Sequence, residues 1–317
     1  MSQMFTYDQV YLRPRHSSLM TRSDADVSIT LFNRKFKLPI VPANMEDVIG
    51  IDNAYFLSEN DYFYIFHRFG KTDNKNSTAD FVKTAHENHW KLISISVGIG
   101  NESISLLNYI HDNNYRVDVI TIDVAHADHE NVKVMISYIK RNFPNTSLIV
   151  GNVATAEGYK YLCDLGADAV KVGIGGGAIC TTRYQTGFHL PTAYSVFECA
   201  TLGLDVPIIA DGGAKYYGDI AKALTLGATM VMSGGWFASC LDSPAAIVHG
   251  KKIYRGSTAY ASKLKKTHIE GKTLELEEGL TYIDRMQEIK EALSSAISYA
   301  GGIDVTAFNH VKWSILK

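Results

Sequence analysis

Ala169-Val-Lys-Val-Gly-Ile-Gly-Gly-Gly-Ala-Ile-Cys-Thr-Thr-Arg183 is the stretch on which the fold turns. It opens as a short buried strand and runs straight into a glycine cluster. Glycines take positive φ and let the backbone approach a ligand closely. The cluster ends at Cys180, flanked by hydroxyls and by Arg183. Taken alone, Gly173-x-Gly175-x-x-Ala178 fits the G-x-G-x-x-G/A fingerprint of a dinucleotide-binding turn. In a doubly wound sheet that fingerprint follows the first strand. The rank of this strand along the chain therefore separates the two architectures.

It is the sixth of eight. The other short runs, rich in β-branched residues, are Leu38–Ala43, Tyr62–Phe66, Leu92–Val97, Val119–Asp123, Ser147–Val150, Pro207–Ala210 and Thr229–Met232. Helical patterns lie between them over Ser103–Asn114, Asn131–Asn142, Ala156–Gly166, Thr192–Gly203 and Gly218–Gly227. Leu165-Gly-Ala-Asp168 and Leu226-Gly-Ala-Thr229 repeat one device, a glycine that closes a helix before the next strand. Eight alternating βα units predict an α/β fold, a (β/α)8 TIM barrel, as one domain over residues 1–317. Two stretches break the rhythm. One is a cysteine loop at 173–191 inserted after the sixth strand. The other is a polar, lysine-rich flap at 236–280 after the eighth, where lids over such barrels commonly sit. The last helix, Tyr282–Ser298, places Ile283, Met286, Ile289, Leu293 and Ile297 on one face.

Residues just after barrel strands converge on one face. Here these include Asn44–Asp47, His67-Arg68, Gly98–Gly100, Asp123–His126, Gly151-Asn152, the cysteine loop, Asp211-Gly212-Gly213 and Ser233-Gly234-Gly235. Loops after the last two strands form the recurring phosphate site of these barrels, and paired glycines there free N–H groups for a phosphate. Asp211 suits two ribose hydroxyls. Together they point to a nucleoside monophosphate. Cys180, near backbone N–H groups and a cation, has the setting of a nucleophile; its plainer reading is a small apolar filler. His67 and His126 share this face, but no third ligand has metal-site spacing with them. Lys263, Lys265 and Lys266 make a basic patch in the flap, either a solvated face or a balance for cofactor phosphates.

With 317 residues, 46% of them hydrophobic, and a net charge of -2, the chain holds a sizeable core and gives no support for nucleic-acid or membrane-surface binding. No apolar run approaches a membrane span. The four cysteines are widely spaced, with Cys163 and Cys199 expected in the core. No basic region followed by an apolar stretch opens the sequence, and a reduced, cytoplasmic setting is expected.

Several motifs, in order, resemble the IMP dehydrogenase and GMP reductase family, and the reductase branch of the bacterial type in particular. They are Tyr7–Pro14, Pro42-Ala-Asn-Met45, Lys171–Gly175, Cys180-Thr-Thr-Arg183, Ile209–Gly213, Gly218–Lys222, Glu270-Gly-Lys272 and Ser298-Tyr-Ala-Gly301. The short interval after the second strand has no room for the regulatory insertion usual in the dehydrogenases. The flap lacks their Arg-Tyr pair and closes with Ile269-Glu-Gly271. A dehydrogenase without the insertion is the alternative, and a nucleotide-sensing barrel without catalysis is another.

The resemblance implies NADPH-dependent reductive deamination of GMP to IMP and ammonia through a covalent thioimidate on Cys180, with Thr182 and Glu270 moving protons. It places the nucleotide on Asp211, Gly212, Gly213, Gly234, Gly235, Gly271 and the Gly256-Ser257-Thr258 turn. Arg68, Asp123, Val124, Ala125, Ile174 and Gly175 would face the cofactor. Thr21, Arg22, Ser295 and Ser298 would reach the cofactor of a neighbouring subunit in a homotetramer. Carbonyls of Gly175, Gly177 and Cys180 would hold a monovalent cation such as K+. The chain departs from the family at Gly176, usually proline, at His189, usually glycine, and at Lys215.

Overall fold

The computed structural model describes residues 3–69, 77–256 and 270–316. Seven strands form one parallel sheet in the order Ile40–Pro42, Met230–Ser233, Ile208–Asp211, Ala169–Val172, Ser147–Val153, Val119–Asp123, Ser94–Val97. After the first strand this is chain order read backwards, so that the last strand pairs with the first, Val231 opposite Ile40, which curls the sheet. The Tyr62–Phe66 run lies at the far edge. Phe66 N–H donates to Ser94 O at 2.9 Å, and Phe66 O accepts from Ser96 N at 2.9 Å. Lys37 N–H reaches Asp61 O at 2.9 Å and ties that run back toward the first strand. The arrangement is TIM-barrel-like. Phe63, Tyr64 and Phe66 are fully buried, so this run is held by side-chain packing more than by a ladder.

Strands such as Ser94–Val97, Ala169–Val172 and Met230–Ser233 are buried along their whole length, as expected where helices cover one face and the barrel interior the other. The expected helices are found at Asn101–Asp112, Glu130–Asn142, Ala156–Asp164, Thr192–Ala200 and Gly218–Thr225, each within a few residues of its predicted span, and Ile51–Glu59 and Thr78–Glu87 are further helices with no predicted counterpart. Gly166 and Gly227 close two of them in left-handed conformation, at φ +93 and +107.

Three expectations change. In the last helix, Tyr282–Ala300, the residues Met286, Ile289, Leu293 and Ile297 are buried but Ile283 is 60% exposed. Tyr282, one position earlier, takes the inward place in that turn and donates its hydroxyl to Val48 O. Cys199 is buried, whereas Cys163 is only half-buried. The flap region is not free of regular structure: Ile247–Val248, Lys251–Arg255 and Thr273–Glu277 form an antiparallel sheet. Its signal is masked because Lys252, an inward position, is a buried lysine whose Nζ donates to Leu241 O at 2.9 Å and Ser243 O at 3.1 Å. Short strands Val10–Leu12 and Trp313–Ile315 also pair and tie the two ends of the chain together.

The two closing glycines should respond differently to a methyl group. A Cβ on Gly166 would meet nothing nearer than Lys140 Cε at 3.9 Å, whereas one on Gly227 would fall 2.4 Å from Ala200 Cβ. Gly166→Ala should cost about 1–2 kcal/mol, the left-handed penalty alone. Gly227→Ala should cost about 1–3 kcal/mol more from overpacking. Denaturant midpoints of the two variants measure the gap, and equal losses would contradict it.

Candidate active site

The cysteine loop lies directly on the Asp211-Gly-Gly turn. A Cβ on Gly173, at φ +144, would sit 2.1 Å from Asp211 O, and one on Gly212, at φ +82, would sit 2.8 Å from Gly177 N. Only glycine permits this approach. Cys180 N–H closes the loop on Gly177 O at 3.1 Å. Residues of the flap then pair with the loop. Thr181 N–H donates to Glu270 O at 2.8 Å and Lys272 N–H to Ile179 O at 2.9 Å. That pairing brings three side chains into line. The Cys180 thiol donates to Thr182 Oγ1 at 3.2 Å, and the Thr182 hydroxyl donates to Glu270 Oε2 at 2.6 Å.

Cys180 opens on a cavity of about 290 Å³. Every described residue expected at the nucleotide lines it: Asp211, Gly212, Gly213, Gly234, Gly235, Gly256 and Gly271. Ser257 and Thr258 lie outside the described residues, as do Lys263, Lys265 and Lys266. Gly234 leaves room for Tyr254, whose hydroxyl would be 1.9 Å from a Cβ there. Asp47, 4% exposed, holds the approach to Gly256 by accepting from Arg255 Nη2 at 2.5 Å and from Arg255 N–H at 2.8 Å.

A second cavity of about 230 Å³ adjoins the first and shares Cys180, Glu270 and Asp211 with it, and Thr182 lines this second one. Arg68, Asp123, Val124, Ala125, Ile174 and Gly175 line it, as expected for the cofactor side. Thr21, Arg22, Ser295 and Ser298 line neither cavity. They gather elsewhere, with Arg22 Nη1 donating to Ser295 Oγ at 3.4 Å and Ser298 Oγ 3.3 Å from Ser17 Oγ.

Between the cavities is a network that sequence reasoning missed. Lys171 Nζ is 2.8 Å from Asp123 Oδ1 and 3.1 Å from Asp211 Oδ2. Asn152 Nδ2 also donates to Asp211 Oδ2, at 2.8 Å, and to Gly173 O at 2.8 Å. The strand register shifts between Gly151 and Val153, a bulge of the kind that re-aims a side chain beside a site. Burial alone would push the Asp123 carboxyl up, but the Lys171 ammonium, with Arg68 and Asn44, outweighs it and holds it below the usual carboxylate range. Burial likewise works against charge on Lys171, and the two carboxylates overcome it and hold the ammonium charged. His67 is a packing residue. Its ring stacks on Phe66 with centroids 4.5 Å apart, and burial pulls its pKa down to about 4 against the opposing pull of Asp47.

The departures have local explanations. A Cβ on Gly176 would fall 2.3 Å from Thr192 Oγ1, so Thr192 occupies space that a larger residue at 176 needs. His189 packs against Gly175 and its Nδ1 is 3.0 Å from Ile174 O, bracing the loop. Lys215 is tied to Asp8 at 2.6 Å.

A thiol, a hydrogen-bonded chain to a carboxylate and a glycine-lined cradle meet at the mouth of an α/β barrel, the arrangement of a barrel-class enzyme. Comparison with known proteins agrees. The profile of the IMP dehydrogenase / GMP reductase domain matches residues 4–312. Proteins named GMP reductase from Oceanobacillus iheyensis and Staphylococcus epidermidis are both 39% identical to this chain, over 100% and 99% of it and 97% of their own length. Another from Lactobacillus johnsonii is 39% identical over 99% of this chain and 96% of its own. The chain belongs to the IMP dehydrogenase / GMP reductase family.

The Gly176–Thr192 contact gives a two-residue test. Gly176→Ala alone should destabilise the fold by about 1–3 kcal/mol. Added to Thr192→Ala, it should cost less than about 0.5 kcal/mol. A double-mutant cycle in chemical denaturation measures the coupling, and strict additivity would contradict it.

Proposed function

We propose that the chain is an NADPH-dependent GMP reductase, converting GMP to IMP and ammonia through a covalent intermediate on Cys180. The observation that carries this reading is the hydrogen-bonded chain from Cys180 through Thr182 to Glu270 at the junction of the two cavities. A purine amine leaves only when it receives a proton, and this chain can both take the thiol proton and return it.

In this account Asp211 holds the ribose, and the N–H groups freed by the Gly212-Gly213 and Gly234-Gly235 turns hold the phosphate. Cys180 Sγ attacks C2 of the purine. The thiol proton passes through Thr182 to Glu270 and on to the departing amine, so ammonia leaves and a C–S bond replaces the C–N bond. The second cavity fits a nicotinamide ring, since it abuts Cys180 and offers the Arg68 cation and the Asp123 carboxylate. NADPH, when bound, supplies a hydride to C2. Cys180 then departs as thiolate, and IMP is the product. The patch of Thr21, Arg22, Ser295 and Ser298 would serve the cofactor of a neighbouring copy in a homotetramer. No step here uses the monovalent cation that family resemblance suggests. A cytoplasmic setting is in keeping with four free cysteines.

Loss of NADPH absorbance with GMP, matched by equal release of ammonia and IMP, tests the reading. Turnover only with IMP and NAD+ would make the chain a dehydrogenase, and silence in both would remove the enzymatic reading. Cys180→Ala should bind GMP but lose turnover, and any steady-state reduction by it would exclude the covalent route. Glu270→Gln should slow ammonia release by about 10²–10⁴-fold and hydride transfer much less. Single-turnover kinetics would contradict the assignment if they showed the reverse.

A further inference from the structure

Lys171 stands in an otherwise apolar strand and is 2% exposed. A buried ammonium is costly unless it is paired. Its partners come from different strands. Asp211 ends the adjacent strand, but Asp123 lies on the strand beyond Ser147–Val153, so the lysine must cross an intervening strand to reach it. Gly151 is what it crosses. Asp123, Gly151 and Lys171 are in register across the three strands. A Cβ on Gly151 would fall 2.5 Å from Lys171 Cβ. The missing side chain is thus the passage for the lysine.

The two carboxylates face different ligands. Asp211 lines both cavities, whereas Asp123 lines only the second. Each remains partly open, with side-chain exposure of 24% for Asp211 and 20% for Asp123. Asp211 Oδ2 is taken by Lys171 and Asn152. We propose that Lys171 is a positioning residue that sets both half-sites at once, aiming Asp211 at the nucleotide ribose and Asp123 at the nicotinamide. The names of the two ligands rest on the reductase reading; the shared ammonium does not.

Removing the ammonium would leave two carboxylates without the cation between them. The other groups facing the pair are Arg68 and Asn44 on the Asp123 side, and Asn152 and Tyr254 on the Asp211 side. Met232 Sδ is 3.8 Å from Nζ and carries no charge. Burial then dominates and raises a carboxyl pKa. In the wild type the Lys171 ammonium holds the Asp123 carboxyl below the usual carboxylate range. Without Lys171, the ionised form, and the activity that needs it, would be lost at higher pH.

Lys171→Met, Lys171→Arg and Gly151→Ala test this in the full-length protein with GMP and NADPH as ligands. Lys171→Met should raise KM for both ligands by at least about tenfold. It should also move the acidic limb of kcat/KM up by about one pH unit or more. Lys171→Arg should recover part of both effects. Gly151→Ala, which keeps the charge but crowds its passage, should also raise both KM values and guards against a Lys171→Met protein that fails to fold. An effect on one ligand only, or an unmoved acidic limb, would overturn the inference. Carbon-13 NMR titration of labelled aspartate carboxyls, assigned with Asp123→Asn and Asp211→Asn, needs no ligand. A carboxyl that titrates at higher pH in Lys171→Met than in wild type supports the inference, and superimposable titrations overturn it. If wild type ignores GMP, the reductase reading fails while this titration still decides the role of Lys171.

Discussion

The candidate active centre depends on a short antiparallel contact between the flap and the cysteine loop. Two backbone hydrogen bonds, Thr181 N–H to Glu270 O and Lys272 N–H to Ile179 O, make it. Through them Thr182 and Glu270, 88 residues apart in sequence, come within a 2.6 Å hydrogen bond. A strand end supplies Asp211, whereas the cysteine loop supplies the thiol and the flap supplies the carboxylate of Glu270. Sites on strand ends hold their geometry, whereas loops move. The thiol, the threonine and the Glu270 carboxylate therefore sit on two loops that hold each other, beside an aspartate on a fixed strand end.

Much of this was legible in the sequence because the barrel is a periodic object. Short apolar runs alternating with amphipathic ones can be read without knowing what packs on what. The rank of the glycine cluster among those runs distinguished a barrel from a doubly wound sheet. The cavity followed from the same ordering, since residues after the strands of a barrel must meet at one face. Asp211, Gly212, Gly213, Gly234 and Gly235 are all found there.

What was not legible depends on partners distant in sequence. Lys171 reads as an odd polar residue in a buried strand until Asp123 and Asp211 are placed around it. Lys252 hides a strand for the same reason, because its ammonium is satisfied by carbonyls that sequence cannot locate. Ile283 fits the helical period yet points outward, since Tyr282 fills the space below it. At Gly176, the absence of the family proline looks like a loss of rigidity. The structure gives it a reason: Thr192 occupies the volume, and His189 braces the next turn through Ile174.

The claim on which the account stands is that a bond forms between Cys180 and the purine as the amine departs. Intact and peptide mass spectrometry of the protein quenched after mixing with GMP reads that bond directly. The account predicts an adduct on Cys180 equal to GMP less the elements of ammonia, absent from Cys180→Ala. An adduct that retains the amine, one on another residue, or none during demonstrated turnover would contradict it.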